Sequence, residues 1–168
     1  MPNTTDVYRG SDATITLSAS TGSGPEGDAA QGFIDTFKLS PVGRAINVQV
    51  CVQTELELFH EIGKRHPAAL RPGNINISGK IGRAYINGAL LSLLLGKGAA
   101  VTRENEPYPQ PSFDIQLLLS DPAVPDTNNT LTIHGAKFEN WNYSLPEDDF
   151  VMEEVTFKGL FITVEDKP

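Results

Sequence analysis

From Ile46 to Leu58 the chain keeps a strict period of two. Ile46, Val48, Val50, Val52, Leu56 and Leu58 share one parity, and only Thr54 breaks the apolar set. Asn47, Gln49, Cys51, Gln53, Glu55 and Glu57 occupy the other. Alternation puts successive side chains on opposite faces of an extended strand, whereas a helix needs spacings of three and four. A strand of this length exceeds the usual five or six residues or so. Dry on one side and wet on the other, it commits the chain to a large antiparallel sheet with one solvated face.

The same period recurs. Ala13–Ala19 alternates, and so do Ile75, Ile77, Gly79 and Ile81 after the turn-forming Arg71-Pro72-Gly73-Asn74. These segments predict a strand at the start and a long hairpin over Ala68–Ile86. Phe33–Leu39 reads as a short strand ended by Ser40-Pro41. Phe113, Ile115, Leu117 and Leu119 alternate, Leu131 and Ile133 begin a strand that runs irregularly through Trp141 and Tyr143, and Phe150–Val164 reads as one long last strand. Asn87–Gly96 is the one convincing helix: Asn87 can cap it, Gly96 can close it, and leucine on most sides predicts burial all round. Ser20–Gly32 is rich in Gly and Ser and without period, which predicts a flexible arm that orders on assembly. Lys97–Ser112 is a Pro-rich loop. The expected fold is mainly β: an antiparallel sandwich or partial barrel of seven to eight strands with one short helix, residues 1–168 forming a single domain.

Charge narrows the function classes. Lys and Arg number 13 against 21 Asp and Glu, for a net charge of −8. Residues 1–84 are balanced, so residues 85–168 carry the excess acid. That balance argues against gripping nucleic-acid phosphates or anionic lipid. The N-terminal residues read as no secretory leader, no apolar run is long enough to span a bilayer, and the lone Cys51 cannot form an intrachain disulfide. The sequons at Asn3, Asn76, Asn129 and Asn142 read as chance matches.

Chemistry is sparse. There is no GxSxG, phosphate-binding loop or GxGxxG after a strand, so neither a catalytic site nor a cofactor is implied. His60, His66 and His134 lack metal-ligand spacing. Glu55/Glu57, Asp148/Asp149 and Glu153/Glu154 are carboxylate pairs whose ordinary reading is a solvated face. Trp141 and Tyr143 share a strand face and offer the one candidate sugar-stacking platform.

Several segments resemble the tail tube proteins of tailed phages and archaeal viruses. They are Glu61-Ile62-Gly63-Lys64-Arg65-His66-Pro67, Arg71-Pro72-Gly73-Asn74, Ser78–Tyr85 and the leucine-rich Ala89–Gly96. Leu131–Phe138 and Asp149–Phe157 follow in the same order and spacing. The resemblance implies a β-sandwich subunit, not an enzyme, that closes into hexameric rings. The rings stack into a hollow tube through which the genome passes without specific binding. It implies self-association, with sheath, tape-measure and baseplate proteins as further partners, no membrane, and a place in the virion tail after assembly in the host cytoplasm. The related inner tube of a contractile injection system, which passes protein effectors, is an alternative, and a monomeric carbohydrate-binding sandwich is one of another class.

Within this reading the polar parity is expected to line an acidic lumen: Asn47, Gln49, Gln53, Glu55, Glu57, Asn76 and Ser78. Contacts between subunits are expected at Ser20, Gly24, Gly27 and Gly32 of the arm and at Leu160, Ile162 and Val164, where the last strand turns apolar on its second face.

Overall fold

A computed structural model describes residues 7–20, 24–38, 42–43, 45–85, 87–96, 109–123 and 127–167. Among these residues there are seven strands: β1 (Ala13–Ala19), β2 (Ala45–Phe59), β3 (Ala69–Ala84), β4 (Phe113–Ser120), β5 (Asn128–Ser144), β6 (Met152–Gly159) and β7 (Phe161–Lys167). They are joined by two helices, α1 (Pro25–Phe37) and α2 (Ala89–Leu95). All pairings are antiparallel, in the order β1-β4-β5-β6-β3-β2, with β7 also on β5.

The sheet curls into a half-barrel because two strands bend together. The first half of β5 lies between β4 and β7, and its second half pairs with β6. The bend falls at Gly135, whose φ of +66° suits glycine. The β4–β5 register shifts at this point, as at a β-bulge. Leu160, between β6 and β7, donates its N–H to His134 O at 2.9 Å. It sits so close that a Cβ on Gly135 would lie 2.5 Å from its Cδ1. One long hairpin is thus folded across its middle into two facing layers. Leu17, Ile115 and Ile133 from one layer and Ile77, Ile81, Val155 and Phe157 from the other fill the space between. Phe113 and Phe138 meet there edge to face at 4.8 Å.

Four expectations are corrected. The segment read as a flexible arm and a strand is helix α1, already formed and packed in the single chain. Pro25 opens it, Glu26 and Asp28 sit in its first turn, and Ala30, Phe33, Ile34 and Phe37 make the i, i+3, i+4, i+7 stripe that packs on the core. The turn expected at Arg71–Asn74 is absent: β3 runs through it, and the hairpin is β2–β3, closed by residues 60–68. Pro72 is tolerated because β6 pairs β3 only from Ile77 onward, leaving that side of Pro72 an edge. The last strand is broken at Leu160. Helix α2 buries Ala89, Leu90 and Leu93 but leaves Leu95 exposed, so it is not buried all round. Of the Pro-rich loop, residues 97–108 lie outside the described residues.

Candidate assembly surfaces

Residues directly opposite each other in an antiparallel pair point to the same face. The register sets Asn47, Gln49, Cys51 and Gln53 of β2 against Gly82, Lys80, Ser78 and Asn76 of β3. It continues onto Glu154, Thr156 and Lys158 of β6, and Asn142 and Asn140 of β5. One face of the four-stranded layer β5-β6-β3-β2 is therefore polar across its width. The opposite face holds the buried Ile77, Ile81, Val155 and Phe157, with Val48 and Val50 packed against them. Of the expected lumen residues, Asn47, Gln49, Gln53, Asn76 and Ser78 come together on this polar face, outside the core.

Glu55 and Glu57 stand apart. Beyond Ile77 only β2 and β3 remain paired, so both carboxylates lie on a hairpin that projects past the rest of the layer. Glu57 faces Arg71 across it. On the layer itself Lys158 pairs with Glu139 at 3.3 Å, and Lys80 lies between Gln49 and Thr156. The polar face is charge-mixed, not the acidic wall expected from the whole-chain balance.

The layer ends in two strand edges. Among the described residues, β2 pairs only with β3. The second half of β5 has β6 on one side; on the other, Phe138 O accepts a hydrogen bond from Gln110 Nε2 at 2.6 Å and no strand among the described residues is paired. Open edges of this kind are templates for another chain's strand. At the other end of the fold β7 is a further edge, with Leu160 and Val164 exposed and Ile162 packed on the core. The expected arm contacts are placed differently from a free arm. Ser20 Oγ donates to Asp114 at 3.1 Å, Gly24 caps α1, Gly27 is buried and Gly32 is exposed.

One feature escaped the sequence reading. Arg83 and Glu153, each about 2% exposed, form an ion pair through Arg83 Nε. The other carboxylate oxygen of Glu153 accepts from Trp141 Nε1 at 2.9 Å, and Arg83 also donates to Asn87 Oδ1 at 3.1 Å. Asn87 Oδ1 in turn accepts the N–H of Ala89 at 3.1 Å, so the network ties β3, β5 and β6 to the start of α2. Glu153/Glu154 is therefore not a solvated pair. The signal was parity: Arg83 shares its parity with Ile77 and Ile81, and Glu153 with Val155 and Phe157. Trp141 is drawn into this network and stacks on Tyr143 at 5.1 Å, so the two rings pack on each other instead of lying side by side as a platform. Among the described residues no three His, Cys, Asp or Glu converge as metal ligands.

A bent antiparallel sheet with a dry face, a wet face and a projecting hairpin is an arrangement that solved structures share. The chain is similar to the sheath/tube terminator of an extracellular contractile injection system, PVC, in its extended state: TM-score 0.64, 9% identity, covering 97% of this chain and 99% of that one. It is similar to the tube-terminating cap of the anti-feeding prophage, with TM-score 0.63, 10% identity and coverage of 98% and 99%. The SPP1 tail tube matches with TM-score 0.60, 12% identity and coverage of 96% and 80%. No protein-family model and no curated protein matches the sequence. The chain has the tail-tube fold, shared by phage tail tubes and the inner tubes of contractile injection systems.

Proposed function

We propose that this chain is the structural subunit of a hollow tail tube, without a catalytic role. Copies close into a ring, hexameric by analogy, when the β2 edge of one subunit pairs with the β5 edge of the next. Rings then stack into a filament, because a head-to-tail contact does not close on itself. The observation that carries this reading is the four-stranded layer with one polar face, one core face and an open edge at each side. Joining such layers edge to edge satisfies the unpaired backbone groups and leaves a polar wall around a water-filled lumen. Asn47, Gln49, Gln53, Asn76 and Ser78 face that lumen. The tube belongs to a virion tail and passes the genome, with sheath, tape-measure and baseplate proteins as its partners.

The charge-mixed face favours a second reading over an acidic one that only repels polyanions: the inner tube of a contractile injection system, conducting protein effectors. Terminase and capsid genes beside the gene would select the first, and effector and ATPase genes the second. Light scattering and negative-stain microscopy of the concentrated protein test the shared core of both. Rings or rods are expected. A clean monomer at all concentrations, above all one with glycan affinity, would return the carbohydrate-binding reading.

A further inference from the structure

β4 pairs with β5 only as far as Phe113 opposite Ala136. Two residues further along β5, on the open edge, the carbonyl of the buried Phe138 is held by Gln110 Nε2 at 2.6 Å. A carbonyl only accepts, so the contact fixes which end of the Gln110 amide faces it. The chain here reads Pro109-Gln110-Pro111. Proline has no N–H to give a ladder, so the segment does not prolong β4 along β5, and a side chain supplies the donor in place of the backbone. The segment is seated on three elements. Ser112 N donates to Glu26 O of α1 at 3.2 Å, and Ser112 O accepts from Ser20 N, just past β1, at 3.4 Å. At the end of α2, a Cβ on Gly96 would lie 2.9 Å from Pro109 O and 3.3 Å from Pro111 Cδ, so the two backbones approach as glycine alone allows.

We propose that Gln110 is an edge guard. In the free subunit it occupies the hydrogen-bonding position on β5 that a backbone N–H of a second copy's β2 takes when two subunits join. The inference rests on the tube reading and adds to it a built-in brake on ring closure. An unpaired strand edge is a template for wrong chains as well as right ones, and natural sheets cover such edges. Here the cover is one neutral hydrogen bond, made by a side chain that gives up rotamer freedom to make it. A partner strand brings a row of backbone donors and acceptors whose bonds form together, so it displaces the amide, whereas a single stray donor gains little. Pro109 and Pro111 serve the same end: backbone N–H groups in their place would extend β4 and close the edge for good. The joint takes one β2 edge and one β5 edge, different surfaces on the two partners, so guarding β5 alone slows every joint.

The test uses the full chain and two variants without the donor: Q110M, which keeps the length of the side chain, and Q110A. Sedimentation and negative-stain microscopy give the concentration at which rings or rods first form. Dilution of finished assemblies gives their rate of dissolution, and urea denaturation gives the stability of the unassembled chain. Both variants assemble at a threshold roughly two- to tenfold below the wild type's, the worth of one neutral hydrogen bond per joint. Their assemblies dissolve at the wild-type rate, because Gln110 is already displaced in the joint. A threshold that stays or rises in either variant, or dissolution faster than the wild type's, overturns the guard and leaves the tube reading standing. A Gln110 that only supports the fold lowers the urea midpoint without lowering the threshold, which overturns the guard in the same way. A wild type that forms neither rings nor rods overturns the tube reading itself, and the guard with it.

Discussion

Replacing Glu153 by alanine strands the Arg83 guanidinium inside the fold. Both side chains are about 2% exposed, so water cannot take the place of the lost carboxylate. Removing one partner of a buried pair costs about 3–5 kcal/mol, because the remaining charge is left uncompensated. Trp141 Nε1 loses its acceptor in the same step. Against a total stability of about 5–15 kcal/mol this is a large fraction. For a chain of this size about 2–4 °C follow each kcal/mol, so Tm falls by roughly 6–20 °C. Urea denaturation supplies the free energy, and fluorescence reports from the site itself, since Trp141 is the chain's one tryptophan. R83M/E153L removes the stranded charge while still taking the acceptor from Trp141 Nε1. The apolar pair itself is close to neutral or stabilising, so only the lost hydrogen bond remains, about 1–3 kcal/mol, less than in E153A. If E153A stays within about 1 kcal/mol of the wild type, or R83M/E153L is as unstable as E153A, the ion pair is not buried in the way described.

Two further outcomes follow from the geometry. Gly135→Val places a β-branched residue at a φ of +66° with its Cβ 2.5 Å from Leu160, and lowers stability by at least about 1–3 kcal/mol in urea denaturation, whereas Gly32→Ala, on the exposed face of α1, does not. In a C51S background, a cysteine at Gln53 reacts with a bulky polyethylene-glycol maleimide in the unassembled protein and is shielded in finished tubes, while a small maleimide still reaches it; equal bulky labelling in both states would remove Gln53 from the lumen.

The alternation from Ile46 to Leu58 identified β2 because an extended strand writes its two faces directly into residue parity. β1, β4 and the start of β5 were legible for the same reason, and so was the fold class, whereas β6 and β7 were read as one strand and the end of α1 as another. Helix α1 was missed where composition was weighed over period: the glycines and serines near Ser20–Gly32 masked the stripe Ala30, Phe33, Ile34, Phe37. The turn at Arg71–Asn74 was misplaced because local turn chemistry yields to pairing, and an edge strand tolerates proline where a central one does not. The lumen candidates show the same limit. Parity grouped Glu55 and Glu57 with Gln49 and Gln53, but parity does not record where the neighbouring strand stops.

The amino-acid order by itself determined which residues share a strand face, because parity is written one residue at a time. It did not determine which of them are covered: Val48 and Val50 pack on the core while Ile46, Val52, Leu56 and Leu58 of the same face stay exposed. It thereby settled that this is a sheet-forming chain with one apolar and one polar face. Tertiary structure alone decided the rest. Which strand lies beside which, where β6 abandons β3, and that Arg83 meets Glu153 all depend on contacts between residues far apart in the chain. The bend at Gly135 and Leu160 folds one layer onto the other, and a net charge of −8 says nothing of which surface bears it until the strands are paired.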